Sequence, residues 1–251
     1  MSDPVYATRD GAVATVYLNQ PAKKNAISAK MMDALATIMR ELDADPEIKA
    51  VVLRGTGENF SSGGDLAQDE PGADTVEGKV GMLQRYLTAV KTIREIGKPV
   101  IAAADGYVVG GGFSLLLACD LAVVSDRVKV VPAFVSIGIV PEMGMMKLLP
   151  ELVGEKTAKE ILFLGKRLGA DDLLRLGIAN RVFPAAEFEA ATLAFASELA
   201  AQPGASVQFT KRIMNATADV GLEQLLRAEV VTSPMCTLTA DFAAVAKKFA
   251  K

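Results

Sequence analysis

The chain has 251 residues, 51% of them hydrophobic, so it is long and apolar enough to build one large domain, or one domain with an appendage. Its net charge of −3 gives no support to binding of nucleic acid or of an anionic membrane. The sequence contains no histidine, which excludes Ser-His-Asp and Cys-His catalysis and nearly all zinc sites, and we expect no metal site.

Cysteine usage and the N-terminus favour a cytoplasmic protein. Cys119 and Cys236 lie far apart in apolar sequence and are interpreted as reduced core residues. The N-terminus has neither a basic region nor an apolar run, so no signal peptide is expected. The longest apolar run, Gly106–Cys119, is too short to cross a bilayer, which needs about 20 residues, and we expect no membrane partner.

The first part of the chain alternates strand and helix patterns up to a polar segment, 65–79, which is predicted to be a mobile loop. Its elements are predicted as strands Val5–Thr8 and Val13–Leu18 around an Asp10–Gly11 turn, a helix from the N-cap Ser28 to about Asp43, a strand Ala50–Leu53 and a helix Met82–Ile96.

A central stretch, 99–125, carries three consecutive glycines between predicted strands. The later elements are predicted as strands Val100–Ala104, Leu121–Val124, Val128–Val131 and Arg181–Phe183, and helices Phe113–Ala118, Met145–Leu149, Lys156–Leu164 and one that Gly169 caps. After Pro184 the pattern is helical, with helices predicted at Ala185–Ala201, Ala205–Ala216, Leu222–Thr232 and Thr239–Phe249. Strand–helix alternation indicates an α/β fold, and the helical tail indicates a docking or assembly element.

The glycines at the start of the 113–118 helix favour an anion site. Without Cβ atoms at Gly110, Gly111 and Gly112, a ligand can approach backbone N–H groups at the positive end of a helix. Neither a P-loop nor a dinucleotide fingerprint is present, and close helix–strand packing is an equally good explanation for these glycines taken alone. A second glycine site, Phe60–Asp65, also follows a buried strand, so two N–H groups could converge on one oxygen as an oxyanion hole.

Four segments resemble the crotonase, or enoyl-CoA hydratase/isomerase, superfamily, in the family's order and over essentially the whole chain. They are Asn59–Leu66 (NFSSGGDL), Lys98–Asp120 (KPVIAAADGYVVGGGFSLLLACD), Ile137–Gly144 (IGIVPEMG) and Leu164–Val182 (LGKRLGADDLLRLGIANRV). The resemblance implies a spiral of ββα units over residues 1–184 and a helical trimerisation region over 185–251. It also implies a homotrimer or dimer of trimers, an acyl-CoA thioester substrate, and no cofactor other than the coenzyme A that belongs to that substrate.

The resemblance also implies site residues. By motif position, the oxyanion hole would be formed by the backbone N–H groups of Gly64 and Gly111. The acyl and CoA path would be lined by Asp65, Leu66, Ala67, Lys24, Asn25 and Ala26. The motif at Lys24 is weak, and a solvated loop charge is an equally good interpretation of that side chain.

The acid–base residues of the family are where this sequence departs from its hydratases. Those enzymes commonly use two glutamates, at the positions of Ser114 and Phe134 here, so both carboxylates are missing. Serine is a poor base without histidine, and we expect Ser114 to be a first-turn helix residue that bonds its own backbone. Glu142 remains; alone it would be read as an acid at a helix N-terminus, favoured by the dipole.

In the family context Glu142 is the predicted catalytic base. A single carboxylate at the matching position is found in enoyl-CoA isomerases of the family, and isomerisation of 3-enoyl-CoA to 2-trans-enoyl-CoA needs one shuttling base. Apolar neighbours at Val140, Met143, Met145 and Met146 are expected to raise its pKa by desolvation.

Three alternatives stay open at this point. One is a hydratase with an atypical second group, such as Asp69 or Glu70. Another is a different single-acid reaction of the family, such as dienoyl-CoA isomerisation, whereas a histidine-dependent dehalogenase route is excluded by composition. The third is a non-catalytic acyl-CoA-binding homologue.

Overall fold

A parallel-rich sheet is the frame of the molecule, whose computed structural model describes residues 3–66, 74–216 and 220–249. In these ranges the main sheet has six strands, in the order β1-β2-β3-β4-β6-β8, and β5 pairs with β7 in a second, parallel pair. The strands are β1 Val5–Asp10, β2 Val13–Leu18, β3 Ala50–Gly55, β4 Val100–Ala104, β5 Tyr107–Val109, β6 Leu121–Ser125, β7 Lys129–Val131 and β8 Arg181–Phe183.

Helices cover the sheet and make up the C-terminal part of the chain. They are α1 Ala29–Ala44, α2 Val76–Glu95, α3 Gly111–Ala118, α4 Met145–Val153, α5 Glu155–Phe163, α6 Ala170–Arg175, α7 Phe188–Ala200, α8 Gly204–Ala216, α9 Leu222–Thr237 and α10 Ala240–Phe249. The α/β fold expected from the sequence is confirmed. None of the helices in the described ranges is both long enough and apolar enough to cross a membrane.

The two faces of the sheet bury different cores because side chains alternate along a strand. Leu53 and Ala102 face the large core that α1 and α2 close, and Val52 and Ile101 face a smaller core closed by α7. All five residues of β4 are buried, as expected for a strand covered on both faces. The glycine segments that follow β3 and β4 therefore leave the sheet from a rigid, fully packed centre.

Local signals place the boundaries of several elements correctly. The Ser28 side chain accepts a hydrogen bond from the Met31 amide, which caps α1 as predicted. Asp10 and Val13 close the predicted antiparallel hairpin of β1 and β2. Gly169 is the N-cap of α6, with Asp172 accepting from its amide.

Other boundaries differ from the prediction. Helix α2 begins at Val76, because Thr75 caps it by accepting from the Gly78 amide, so the end of the predicted loop 65–79 is helical. The short strand β5 was not expected, and α9 continues to Thr237 through Pro234. Both cysteines are free, but only Cys119 is a core residue, whereas Cys236 on α9 is partly exposed.

One ion pair fastens the C-terminal helices to the sheet. The Lys211 ammonium of α8 is almost fully buried, lies 2.7 Å from the Asp120 carboxylate, and donates to the carbonyls of Ile93 and Lys98. All three of its donors are therefore used, so the α8 contact is defined by specific bonds and not by apolar packing alone. A cavity of about 500 Å³ beside this pair lies between α8 and the core and is lined by residues such as Leu116, Ile178 and Met214.

Candidate active site

The two glycine segments predicted to converge do lie side by side. Ser61 pairs in parallel with Val108 of β5; its amide donates to the Tyr107 carbonyl, and its carbonyl accepts from the Val109 amide. A Cβ built on Gly63 would come within 2.8 Å of the Val109 carbonyl oxygen and 3.7 Å of the Gly111 nitrogen. The backbones that carry Gly64 and Gly111 are therefore held at close range before any ligand binds.

The Gly64 amide points away from the protein interior. Ile27 bridges to this residue by donating to the Gly63 carbonyl and accepting from the Asp65 amide. Because alternate backbone groups of an extended strand face opposite sides, the N–H of Gly64 faces away from Ile27. Within the described ranges this N–H donates no hydrogen bond, and a Cβ on this exposed glycine would meet no atom within 4 Å.

The Gly111 amide is the second free donor. Gly111 is the first residue of α3, and the first backbone bond of that helix runs from the Ser114 amide to the Gly110 carbonyl. The N–H of Gly111 has no acceptor in the described part of the chain, as is usual in the first turn of a helix. The two glycine amides thus meet the chemical requirement of an oxyanion hole, two unpaired donors on converging backbones.

The three glycines serve different purposes, which corrects the expectation that all of them open the backbone to a ligand. Gly110 has a φ of +46°, which favours glycine. A Cβ on Gly112 would lie 2.8 Å from the Ser61 Cβ, and one on Gly111 would lie 3.2 Å from Ile27 and Met143 atoms. Close packing therefore explains why Gly111 and Gly112 carry no Cβ, and of the two glycines with a free amide Gly64 is the exposed one.

The segment Lys24–Ala26 is held in the loops around the site by hydrogen bonds of the Asn25 side chain. The Asn25 side chain is buried, accepts from the Gln20 amide, and donates to the carbonyls of Thr56 and Asn59. All of these bonds are internal to the protein, so the Asn25 side chain supports the loops, and Ala26 is buried beside it. The exposed Lys24 ammonium lies 5.0 Å from the centre of the Tyr107 ring.

Residues after Gly64 are placed differently from one another. The Asp65 carboxylate pairs with Lys23 at 2.7 Å and its side chain is only 10% exposed. Leu66 is 83% exposed next to the free Gly64 amide. Ala67, Asp69 and Glu70, named from the sequence, lie outside the described residues.

Glu142 sits on a turn with an unusual backbone. The Met145 amide donates to the Glu142 carbonyl, and the two residues between them, Met143 and Gly144, have φ of +59° and +83°. Positive φ at both central positions is the pattern of a type I′ turn, which favours glycine, asparagine and aspartate. Methionine at the first of these positions is the kind of backbone strain that clusters at functional sites.

The Glu142 carboxyl is half-buried, and burial raises its pKa above the ordinary value for glutamate. It forms no ion pair or side-chain hydrogen bond with the described residues. Glu142 lies before Gly144, the N-cap of α4, and the first turn of α4 contains no acidic residue, so Glu142 is outside the turn where the helix dipole favours an acid. Of its apolar neighbours, Met143 and Met145 are buried, whereas Val140 and Met146 are exposed.

The two positions where hydratases of the family carry glutamate adjoin this turn and the start of α3. The Ser114 hydroxyl donates to the Glu142 carbonyl at 2.9 Å, so the expectation that it bonds its own backbone is wrong. The buried Phe134 ring comes within 3.8 Å of a Cβ built on Gly110. Neither residue supplies an acid or base, whereas Glu142 lies on a turn that contacts the first turn of α3.

The family follows from comparison with known sequences. A model of the enoyl-CoA hydratase/isomerase family matches residues 8–249. The chain belongs to this family. Among curated relatives, 4-chlorobenzoyl coenzyme A dehalogenase-2 of an Arthrobacter species is 38% identical over 76% of this chain and 70% of its own. Carnitinyl-CoA dehydratase of Escherichia coli K12 is 33% identical over 90% of this chain and 86% of its own.

Solved structures of the family match the whole fold. An enoyl-CoA hydratase from Polaromonas sp. JS666 superposes with a TM-score of 0.93 at 27% identity, covering 98% of this chain and 96% of that one. A Thermobifida fusca YX protein solved in complex with acetoacetyl-CoA superposes with a TM-score of 0.83 at 28% identity, covering 93% and 94%. Enoyl-CoA hydratase/isomerase folds therefore match both the sheet and the C-terminal helices of this chain.

Proposed function

We propose that this chain is an enoyl-CoA isomerase that converts 3-enoyl-CoA into 2-trans-enoyl-CoA with Glu142 as the single proton shuttle. The observation that carries the proposal is a half-buried carboxyl group with a raised pKa and no partner among the described residues. Its turn packs against the helix that presents the free Gly111 amide. Serine and phenylalanine at the two hydratase positions leave this one group for proton transfer.

The proposed reaction needs one proton and no added water. The Glu142 carboxylate removes a proton from C2, and the C2–H electrons move toward the thioester carbonyl, whose oxygen becomes the negative end of a dienolate. The amides of Gly64 and Gly111 donate to that oxygen, and each such donor is worth about 3–4 kcal/mol in a transition state. The protonated Glu142 then returns the proton to C4 as the carbonyl reforms and the double bond settles between C2 and C3.

The proposed substrate is an acyl-CoA thioester. The names of the dehydratase and dehalogenase relatives, and the acetoacetyl-CoA bound by the Thermobifida protein, support this class. Lys24, beside the Tyr107 ring, is proposed to meet the phosphates of coenzyme A. Exposed apolar side chains on both sides of the site are proposed to take the acyl chain: Leu66, Val135, Ile137, Ile139 and Val140.

The proposed assembly is a homotrimer or a dimer of trimers, with residues 185–251 as the assembly region. Helix α9 supports this proposal because none of its residues is buried within the chain, and five large apolar side chains on it and a sixth at its end are exposed. These are Leu222, Leu226, Val230, Val231, Met235 and Leu238 on α9 and at its end. A helix of this kind is stabilised when its apolar side chains pack against another surface.

Hydration is the second candidate, favoured by the name of a relative. Short-chain-enoyl-CoA hydratase of Clostridium acetobutylicum is 29% identical over 94% of this chain and 90% of its own. Addition of water calls for a group that activates water in addition to one that supplies the C2 proton. The two hydratase positions carry Ser114 and Phe134 here, and Asp69 and Glu70 lie outside the described residues.

A paired assay tests the proposal. Purified protein is given trans-3-hexenoyl-CoA, with appearance of the conjugated thioester followed by absorbance, and separately crotonyl-CoA, with loss of that absorbance. We expect isomerisation without appreciable hydration. Glu142→Gln is expected to lower kcat by about 10²–10⁴-fold with little change in KM, because the proton shuttle is lost and the binding surface is kept.

The matched control is Glu151→Gln, which neutralises an exposed glutamate on α4 that pairs with Lys147. It is expected to leave both kinetic constants unchanged. Wild-type isomerase activity in Glu142→Gln would refute the assignment of the base. Strong hydration of crotonyl-CoA would favour the second candidate, and release of chloride from 4-chlorobenzoyl-CoA would indicate a different reaction of the family.

A further inference from the structure

The first turn of α3 contacts the turn that carries Glu142 at two points. The Ser114 hydroxyl donates to the Glu142 carbonyl, with 2.9 Å between the two oxygens. The Met143 sulfur lies 3.2 Å from a Cβ built on Gly111, so this side chain packs directly on the glycine that presents the oxyanion donor. Gly111 and Ser114 are three residues apart, so they lie on the same face of the helix.

The backbone of the Glu142 turn does not favour its own conformation. Met143 has a left-handed φ of +59°, which side chains other than glycine, asparagine and aspartate adopt rarely. Such a residue persists when its surroundings define it more strongly than its own preference does. Two features of the structure can do so here: the Met143 side chain is 2% exposed, and the Glu142 carbonyl is held from outside the turn by Ser114.

The hydrogen bond of Ser114 acts on the backbone of Glu142 and not on its carboxyl group. The Glu142 carbonyl accepts from the Met145 amide within the turn and from the Ser114 hydroxyl across the fold. The carboxyl group keeps its freedom to take and return a proton, while its point of attachment is fixed relative to α3. A hydrogen bond to the carboxylate itself would lower the pKa and weaken the base, and no such bond is present in the described residues.

We propose that Ser114 is a positioning residue for Glu142. Its hydroxyl sets the distance between the proton-transferring carboxyl group and the Gly111 amide, because donor and positioning residue share one turn of α3. This role rests on the function proposed above for Glu142. The alternative is that the Ser114 hydroxyl only satisfies its own need for a hydrogen-bond partner, as every fully buried serine must. A serine of that kind would affect the stability of the protein and not its catalysis.

The test compares three substitutions at Ser114 with a control at Ser125. Ser114→Ala removes the hydroxyl, Ser114→Cys keeps the shape with a weak donor, and Ser114→Thr keeps the hydroxyl. Ser125→Ala removes an equally buried serine hydroxyl that donates to Asp105. Kinetics with trans-3-hexenoyl-CoA are measured against pH, and unfolding by guanidinium is measured for every variant.

We expect Ser114→Ala and Ser114→Cys to lower kcat by about 10–100-fold with KM changed less than twofold, because the base is misplaced and the binding surface is intact. Ser114→Thr is expected to recover at least half of the kcat lost in the alanine variant, on a logarithmic scale. Ser125→Ala is expected to lose stability without a change in kcat. Equal kcat values for wild type, Ser114→Ala and Ser114→Cys, with reduced stability, would overturn the positioning role.

A second readout does not need the proposed reaction. The carboxyl carbons of ¹³C-labelled glutamate are followed by NMR against pH, with Glu142→Gln used to assign the Glu142 signal. In Ser114→Ala the pKa of Glu142 is expected to move toward the ordinary glutamate value, because a released turn exposes the carboxyl group to water. An unchanged pKa would overturn the positioning role even if the protein is not an isomerase, whereas a shifted pKa without isomerase activity would refute only the proposed function.

Discussion

In the proposed reaction the Glu142 carboxyl group must ionise, although its surroundings disfavour the charged form. Met143 and Met145 are buried on either side of the Gly144 position, and no cation pairs with the carboxylate in the described residues. The result is a pKa above the ordinary glutamate value. A carboxylate with a raised pKa binds a proton more readily than an ordinary glutamate does, so it is a stronger base as long as it is still ionised at neutral pH.

For the proposed isomerisation, this shift predicts how activity depends on pH. The base acts as a carboxylate, so activity is present above the folded-state pKa of Glu142 and falls as pH decreases through it. Because burial raises that pKa, the acid limb of kcat/KM is expected above the ordinary glutamate value of about 4.3. The profile is measured with trans-3-hexenoyl-CoA in buffers of constant ionic strength. A limb at or below 4.3, with full activity at pH 5, would contradict a desolvated Glu142 as the base.

At the scale of elements, α3 packs on the Phe60–Gly64 segment through bare backbone. Gly112 lies against Ser61 so closely that a Cβ would come within 2.8 Å of the Ser61 Cβ. For a second helical glycine, Gly81 in α2, a Cβ built on the backbone would meet no atom within 4 Å. Both glycines lie within a helix of the structure, but their surroundings in the fold are opposite.

The two glycines therefore predict opposite effects of the same substitution. Gly112→Ala is expected to lower the free energy of unfolding by about 1–3 kcal/mol through overpacking and to reduce isomerase activity, since α3 must shift. Gly81→Ala is expected to raise the free energy of unfolding by about 0.5–1 kcal/mol, because alanine favours a helix over glycine. Guanidinium unfolding at one protein concentration measures both. A neutral or stabilising Gly112→Ala would show that α3 and Ser61 are not in tight contact.

Sequence patterns were sufficient for the elements whose signals are local. The Ser28 cap, the hairpin around Asp10 and the helices after Pro184 follow from capping preference and from periodicity. Strand β5 was missed because it is defined by its pairing with Ser61 and with β7, both of which are distant from it in the sequence.

Sequence motifs named candidate residues for the site but could not predict the contacts among them. The glycine motifs named Gly64 and Gly111 as oxyanion donors; that role stays a prediction, and neither amide donates a hydrogen bond within the described residues. The bond between Ser114 and Glu142 spans 28 positions of the sequence, and the left-handed Met143 depends on packing against Gly111. Neither has a local signal, because such contacts arise only when the fold brings the segments together.

At the scale of the whole molecule, α9 is a helix whose apolar side chains remain without cover inside one chain. Leu222, Leu226 and Val230 recur at intervals of four residues, the spacing of one helical face, and they are 49–73% exposed. Because these apolar side chains share one face of α9 and are exposed, we expect that face to form an interface between copies of the chain, as in the proposed trimer.

The assembly proposal predicts that one charge on this face dissociates the protein. Val230→Asp is expected to shift the mass in solution from that of a trimer or hexamer toward that of a monomer, because an unpaired carboxylate would be buried in the interface. The neighbouring substitution Glu229→Gln, at an exposed polar position, is the control and is expected to keep the assembly. Light scattering coupled to size-exclusion chromatography measures both. A wild-type monomer would refute the assembly proposal.

The hydrogen bonds of the Asn25 side chain have a consequence for the thermodynamics of ligand binding. This side chain joins the Gln20, Thr56 and Asn59 backbones, and the bridge between Ile27 and Gly64 adds two further bonds. The conformational entropy of aligning the Gly64 donor is therefore lost when the chain folds, long before a thioester arrives. In the proposed reaction the thioester oxygen meets a donor that is already immobile, so none of the energy of that hydrogen bond is lost in ordering the Gly64 backbone.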